Sequence, residues 1–171
     1  MKLDKVANSG NDEFYTPKYA VEPLLKYIKP CKVWCPFDTE ESLIVGGLAQ
    51  HGCEVVHTHI DQGSDFFDTT RPCDLIVSNP PYSIKGKVFD RLFSLGKPFA
   101  MLVGVVGLFE SQSRFNLFKD NPFEIMYLNK RVSYFKSYKD QRPSLNPPFS
   151  SVWVTSQVLP SRIVFETIQK A

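Results

Sequence analysis

The stretch "DLIVSNPPYS", residues 74–83, decides the fold of this chain. Its first half is a continuous aliphatic run, which is typical of a strand buried on both faces of a parallel sheet. The run ends in polar Asn79, and the prolines that follow stiffen the turn because each proline ring locks its own φ angle. A core strand that ends in this way is expected to place hydrogen-bonding groups at the edge of a sheet.

Predicted strands and helices alternate on both sides of this stretch. Apolar runs predict strands at residues 32–37, 53–60 and 98–109, with helical segments between them. Residues 123–135 and 150–158 follow as two longer predicted strands joined by a proline-rich loop, hence an antiparallel pair. The order predicts an α/β fold with a mostly parallel sheet and helices on both faces. Such sheets bind ligands at the carboxyl ends of their strands.

The composition predicts one ordinary globular domain over residues 1–171, with residues 1–13 as a loose arm. Hydrophobic residues make up 43% and charged residues 22%, and no apolar run approaches the ~20 residues of a membrane-spanning helix. The first residues lack the apolar centre of a signal peptide, which predicts a cytoplasmic protein with no membrane partner. The formal charge of +2 is too small for a nonspecific nucleic-acid coat.

No metal site is predicted. The 4 cysteines lack the density of a disulfide scaffold. The spacing of Cys53, His57 and His59 matches no familiar zinc pattern. We expect them to be small residues of the core.

One segment, residues 130–142, carries a local excess of basic residues interleaved with aromatic side chains. Basic groups contact phosphates and aromatic rings stack on bases, so the segment predicts a nucleic-acid contact. A solvated hairpin with lysines on its exposed face explains the same pattern equally well. The residues predicted for the contact are Lys130, Arg131, Lys136, Tyr138, Lys139 and Arg142.

The Asn-Pro-Pro-Tyr turn after an aliphatic strand resembles the catalytic motif of the amino-methyltransferases that methylate adenine N6 with S-adenosylmethionine. The resemblance implies that the side-chain carbonyl of Asn79 and the backbone carbonyl of Pro80 each accept one N–H bond of the target amine. These bonds stabilise the positive charge that develops as the methyl group arrives. Pro80 and Pro81 hold the acceptors in place, and Tyr82 stacks on the flipped base.

Two further segments resemble the same family, and both imply contacts with the cofactor. In "DEFYTPKYAVEPLL" the contacts come from Tyr15, Thr16 and Pro17. In "GSDFF" the resemblance places Asp65 against the adenine amine of the cofactor and Phe66 against its ring. The order of these pieces, with cofactor motifs before the catalytic one, is that of phage-type adenine methyltransferases.

The loop after the first predicted strand, "CPFDTEES", follows the family only in part. The resemblance implies cofactor contacts from Pro36 and Asp38, with Asp38 binding the amino group, and Asp61 after the second strand is assigned to the cofactor as well. Glu40 and Glu41 stand where the family has glycine, and their side chains occupy space. Their position also suits a cap for the next helix. Retention and loss of cofactor binding therefore both remain open.

The chain is short for this family. Only twelve residues separate Asp61 from Asp74, so one strand of the usual sheet is expected to be missing or reduced to "DFF". No target-recognition domain is visible, so sequence specificity is expected to be slight, to come from the loop at residues 136–149, or to come from a protein partner. Phe149 in this loop follows a second Asn-Pro-Pro sequence, which does not follow an apolar strand and which a stiff proline loop explains better. The alternative, which the resemblance implies, is that Phe149 contacts the target base.

The resemblance identifies the chain as a small phage-type relative of the N6-adenine DNA methyltransferases, encoded by a phage or prophage. It implies a Rossmann-like S-adenosylmethionine-dependent methyltransferase fold and DNA as the partner, with DNA favoured over RNA by the likeness alone. Two alternatives remain. One is a catalytically inactive binding module on the same scaffold, acting against host defence or in regulation. The other is a methyltransferase that acts on RNA, on cytosine or on a protein glutamine.

Overall fold

A computed structural model describes residues 15–141, 143–145 and 149–170. The predicted loose arm at residues 1–13 and the predicted nucleic-acid contact Arg142 lie outside the described residues. The helices are α1 (Lys18–Leu25), α2 (Leu43–Gln50), α3 (Lys85–Leu95) and α4 (Gln112–Asp120), with 3-10 turns at Ile60–Gln62 and Tyr82–Ile84. The strands are β1 (Lys32–Cys35), β2 (Glu54–His57), β3 (Leu75–Ser78), β4 (Phe99–Gly104), β5 (Glu124–Leu128), β6 (Tyr134–Phe135), β7 (Pro143–Leu145), β8 (Ser151–Ser156) and β9 (Ile163–Glu166).

Seven of the described strands form one sheet in the order β2-β1-β3-β4-β8-β5-β9. The strands β2, β1, β3 and β4 are parallel neighbours, and in their register Trp34 of β1 lies between Val56 and Ile76. All residues of β3 and β4 are buried, as the continuous aliphatic runs predict. The carboxyl ends of four strands therefore meet along one edge of the sheet.

The predicted antiparallel pair is confirmed, because β8 runs antiparallel to both β4 and β5. The longer strand predicted at residues 123–135 is instead broken in two. After β5, the backbone N–H of Asn129 donates to Glu166 and its side chain accepts from Ile168 N at 2.8 Å, which anchors the chain at that point. The chain then leaves the sheet, and β6 pairs with β7 and bridges to Tyr15.

The expected loss of one strand is also confirmed. Residues 58–74 join β2 to β3 with only the 3-10 turn at Ile60–Gln62 and irregular turns. Strand β2 is consequently at the edge of the sheet. The connection is too short for a crossover helix and an additional strand.

Alternate residues of the strands bury two separate clusters, one on each face of the sheet. Helices α1 and α2 cover the first through residues such as Leu24 and Leu48. Helices α3 and α4 cover the second through residues such as Phe89 and Phe118. Trp153 of β8 donates its indole N–H to the carbonyl of Ala20 at 2.9 Å, which ties α1 to the sheet. Within the described ranges, no helix has the length and apolar character needed to cross a membrane.

Candidate functional site

A cavity of about 190 Å³ lies at the carboxyl ends of β1 and β3. It forms where polar residues follow these strands, which is the position that parallel sheets favour for ligands. Its described wall consists of Tyr15, Thr16, Phe37, Asp38, Thr39, Glu41, His59, Ile60, Asp61, Asn79, Pro81 and Tyr138.

Asp38 is the buried charged group of this cavity, with 6% of its surface exposed. Its carboxylate accepts hydrogen bonds from Ser42 Oγ at 2.7 Å and from Ser78 Oγ at 2.5 Å. Burial raises the pKa of Asp38, and the two serine hydroxyls together with His59 and His57 oppose that rise. A carboxylate in this environment favours a cationic ligand, because opposite charge stabilises its ionised form.

Asn79 lies beside Asp38 at the end of β3. Its side-chain Nδ2 donates to Thr16 Oγ1 at 3.1 Å, which turns the amide nitrogen towards the segment before α1. Pro81 lines the same cavity, and Pro80 between them is buried. The predicted catalytic turn and the predicted cofactor carboxylate Asp38 thus share one cavity, although Asn79 and Asp38 lie 41 positions apart along the chain.

Tyr82 begins the 3-10 turn after the prolines and is half-buried. Its hydroxyl donates to Tyr134 Oη at 3.4 Å, and Tyr134 in turn lies 2.6 Å from Ser151 Oγ. Burial raises the pKa of Tyr82, and it raises the pKa of Tyr134 to about 12, so both phenols are neutral at physiological pH. The ring of Phe149 meets the Tyr82 ring edge-on at a centroid distance of 5.2 Å.

Tyr138 lies in the cavity wall, whereas the sequence places it in a nucleic-acid contact. Its hydroxyl donates to Ser42 Oγ at 3.4 Å, and its ring packs edge-on against Tyr15 at 4.9 Å. The bridge between Tyr15 and Phe135 brings the residues after β6 back over the site. Tyr138 is therefore positioned against the hydroxyl that also contacts Asp38.

Asp65 and Phe66 do not belong to the described wall of the cavity. Asp65 accepts a hydrogen bond from the backbone N–H of Phe67 at 2.9 Å, which closes a local turn. Phe66 is 2% exposed and packs against Trp34 and Phe37 in the core. In this structure a ring buried in that way offers no face to a ligand, and Phe37 lines the cavity in its place.

Some of the other residues predicted to bind the cofactor line the cavity, and the rest lie behind its wall. Tyr15, Thr16 and Asp61 line the cavity. Pro17 is buried at the start of α1, where it occupies the N-cap position, and Pro36 is buried in the turn after β1. These two prolines fix the backbone behind the wall.

Four cavity residues were missed by the sequence analysis: Phe37, Thr39, His59 and Ile60. His59 is buried, and its Nδ1 accepts the backbone N–H of Asp61 at 3.0 Å. The bond caps the 3-10 turn that carries Ile60 and Asp61 to the cavity rim. The signal available in the sequence was the position of Phe37 and His59 in the last two residues of the predicted strands at 32–37 and 53–60.

The glutamates of the first loop leave the cavity open. Glu40 and Glu41 are both exposed, and Glu40 accepts a hydrogen bond from Gln62 Nε2 at 3.3 Å. Glu41 contributes only to the cavity wall. The expectation that they cap α2 is wrong, because Ser42 is the N-cap and accepts from the backbone N–H of Ile44 at 3.2 Å.

The basic side chains of the segment after β5 are solvent-exposed: Lys130, Arg131, Lys136 and Lys139. This exposure is compatible with both the nucleic-acid contact and the solvated hairpin.

No protein-family model matches the sequence, and no curated protein sequence matches it. Several solved structures, however, are similar to the structure of this chain. A protein described as the modification subunit of a type I restriction enzyme from Vibrio vulnificus superposes with a TM-score of 0.59 at 13% identity, over 99% of this chain and 50% of that one. A protein described as an RNA methyltransferase from Pyrococcus horikoshii gives a TM-score of 0.54 at 16% identity, over 86% of this chain and 87% of that one. The chain has a methyltransferase fold. It spans half the length of the modification subunit.

Proposed function

We propose that this protein transfers the methyl group of S-adenosylmethionine to the N6 amine of adenine in DNA. One observation carries the proposal: Asn79 and Pro81 of the Asn-Pro-Pro-Tyr turn line the same cavity as the buried carboxylate of Asp38. The Asn79 acceptor for an amine and a carboxylate for a cationic cofactor then lie in one cavity. The methyltransferase fold supports the same reading.

The residues of the cavity fit S-adenosylmethionine in their chemistry. Asp38 is a buried carboxylate whose raised pKa indicates that its charge is not fully compensated, and the ammonium group of the cofactor supplies that compensation. Phe37 and Ile60 provide apolar wall, and Asp61 provides a carboxylate on the rim for polar groups. The cofactor, when bound, supplies a methyl group on a positively charged sulfur.

The transfer step needs acceptors and positioning from the protein. The side-chain oxygen of Asn79 and the backbone carbonyl of Pro80 accept the two N–H bonds of the amine, which frees its lone pair from the ring for attack. S-adenosylmethionine, when bound, would supply the methyl carbon to this nitrogen and would keep the electron pair of the broken carbon–sulfur bond on its sulfur. The amine then loses one proton to water, so no side-chain base is needed. Tyr82 and Phe149 hold the flipped base.

The experiment that tests the proposal identifies the methylated product. The protein is incubated with methyl-deuterated S-adenosylmethionine and, separately, with DNA, RNA and protein, and each product is digested and analysed by mass spectrometry. We expect deuterated N6-methyladenine from DNA. Deuterium label found in RNA, in cytosine or in a glutamine would show that this group, and not adenine in DNA, is the substrate. Binding of S-adenosylmethionine without any transfer would favour the inactive binding module.

Sequence specificity is part of the same proposal. The chain spans half the length of the modification subunit that it resembles, and the described residues contain no separate recognition domain. We assign specificity to the loop at residues 136–149 or to a protein partner.

The contact between Phe149 and Tyr82 leads to a prediction at Gly104. A Cβ on Gly104 would lie 2.5 Å from Cε2 of Phe149, which is closer than carbon atoms approach. Gly104→Ala is therefore expected to push the Phe149 ring off Tyr82 and to lower the transfer rate up to about tenfold, the range of one aromatic contact. Single-turnover transfer with labelled cofactor measures the loss.

Gly46→Ala is the matched control, because nothing lies within 4 Å of a Cβ at that position. It lies in α2 and is expected to leave the rate unchanged and to raise stability by about 0.5–1 kcal/mol, the helix preference for alanine over glycine. The double variant Gly104→Ala with Phe149→Ala should be no slower than Phe149→Ala alone. An unchanged rate in Gly104→Ala would remove Phe149 from the base site.

A further inference from the structure

Two cationic side chains that the transfer step does not use converge beside the catalytic turn. Lys85 is the first residue of α3, and its Nζ lies 6.0 Å from the centre of the Tyr82 ring and 2.5 Å from the carbonyl of Val106. Arg114 reaches the same place from α4. The position of a Cβ on Gly107 would be 3.8 Å from Lys85 Nζ and 4.0 Å from Arg114 Nη2, so both heads approach one point.

The positive charge of this pair is not neutralised within the part of the chain that the structure describes. Neither Lys85 nor Arg114 forms a salt bridge there, and Arg114 Nε is buried without a hydrogen-bond partner among those residues. Burial, together with the charge of Arg114, lowers the pKa of Lys85 to about 8 against the opposing effect of Glu110. Two adjacent cations that are partly withdrawn from water favour an anion between them.

We infer that Lys85 and Arg114 bind a backbone phosphate of the DNA strand that carries the target base. The inference rests on the proposed function, because the base against Tyr82 is what brings that strand to the pair. A phosphate is joined to its base through a single sugar, so a base stacked on Tyr82 places a phosphate within reach of Lys85. Arginine is suited to the contact because its planar fork matches phosphate oxygens.

The surface beyond the pair can hold the continuing strand. A groove of about 730 Å³ runs between α3 and α4, with Arg114 on its wall and with Ser83, Lys87 and Ser113 as well as the carboxylates Asp90 and Asp120 along it. This location differs from the basic segment at residues 130–142. The sequence did not reveal it, because Lys85 and Arg114 are 29 positions apart and lie on different helices.

Salt dependence of DNA binding tests the inference. Fluorescence anisotropy with a short labelled duplex measures affinity at several salt concentrations, in the presence of S-adenosylhomocysteine. Lys85→Gln with Arg114→Gln is expected to weaken binding on the order of tenfold at ~0.1 M salt and to reduce the log–log salt slope by about 1, as for one lost phosphate contact. Lys119→Gln is the control, since Lys119 is an exposed cation of α4 that pairs with Asp120 at 3.7 Å. It should leave the slope unchanged.

The pH dependence provides a readout that a merely structural lysine would not give. The groups that face Lys85 are Arg114 on α4, Glu110 before it and the Tyr82 ring. Since the pKa of Lys85 in the free protein is about 8, the wild-type affinity for DNA should fall as the pH rises through that value. Lys85→Arg keeps its charge and should flatten this profile while retaining binding. If the double variant does not fold, the pH profile of Lys85→Arg still tests whether the charge of Lys85 contributes to DNA binding.

The outcomes separate the inference from the proposed function. If the double variant loses DNA binding and the wild type transfers no methyl group, the phosphate site is supported and the proposed methyl transfer is contradicted. Methyl transfer with an unchanged salt slope in the folded double variant would overturn the phosphate site alone. Wild-type protein that binds no DNA would overturn it as well.

Discussion

Asn79→Ala is expected to lower methyl transfer by about 10²- to 10³-fold while the affinity for S-adenosylmethionine stays unchanged. The substitution removes the side-chain carbonyl that accepts one N–H bond of the target amine. Its loss should be comparable with the loss of one preorganised hydrogen-bonding group aimed at developing charge. Single-turnover transfer measures the rate, and titration calorimetry measures cofactor binding.

Thr16→Val is the comparison for this variant. It removes the acceptor of the Asn79 Nδ2 bond at 3.1 Å but keeps the Asn79 carbonyl, so it acts through positioning. We expect a smaller loss, about tenfold, with the cofactor affinity nearly retained. Asn79→Ala with a wild-type rate would contradict the acceptor role. A loss of cofactor affinity as large as the loss of rate would instead make Asn79 a cofactor-binding residue.

Asp38→Asn is expected to abolish measurable binding of S-adenosylmethionine at micromolar concentrations and, with it, all transfer. The variant removes the buried charge that pairs with the cofactor ammonium, a loss of about 2–5 kcal/mol for a buried, hydrogen-bonded charge pair. The hydroxyls of Ser42 and Ser78 donate to different oxygens of the carboxylate, at 2.7 Å and 2.5 Å. Asparagine keeps one of these acceptors, and its amide N–H can donate to the other hydroxyl, whose oxygen also accepts hydrogen bonds. The fold should therefore survive.

The stability of Asp38→Asn checks the electrostatic part of this prediction. Because burial raises the pKa of Asp38 in the folded protein, the native state binds a proton more tightly than the unfolded state does. The contribution of Asp38 to stability then falls as the pH rises from the unfolded to the folded pKa, and ionised Asp38 opposes folding at neutral pH. Asp38→Asn should be at least as stable as the wild type at pH 7 by thermal unfolding, yet it should lose the cofactor.

Asp65→Asn is the matched control, and it also tests the role that the sequence gives to Asp65. The carboxylate of Asp65 accepts from Phe67 N at 2.9 Å and does not line the described cavity. We expect the cofactor affinity of this variant to equal that of the wild type. If Asp65→Asn loses affinity while Asp38→Asn retains it, the cofactor lies in a different place from the one we propose.

The sequence predicts the architecture well where the information is local. A continuous aliphatic run identifies β3, and residues that follow neighbouring parallel strands must meet at one edge of the sheet, as Asp38 and Asn79 do. The missing strand follows from counting residues between Asp61 and Asp74. These features depend on segments of a few residues and on rules of chain connection.

The sequence does not predict features that depend on distant segments. Tyr138 reaches Ser42 across 96 positions, and no local pattern distinguishes it from the exposed lysines beside it. Phe66 and Phe37 are both phenylalanines next to turns, and only packing against Trp34 decides which one enters the core. The break between β5 and β6 likewise depends on contacts of Asn129 with the C-terminal residues.

The structure of the protein with S-adenosylhomocysteine tests the central claim most directly. We predict that the compound occupies the cavity at the ends of β1 and β3, with its ammonium on Asp38 and its sulfur facing Asn79. Glu41 should remain at the rim. Binding at another surface, or a Glu41 side chain in the place of the compound, would contradict the account.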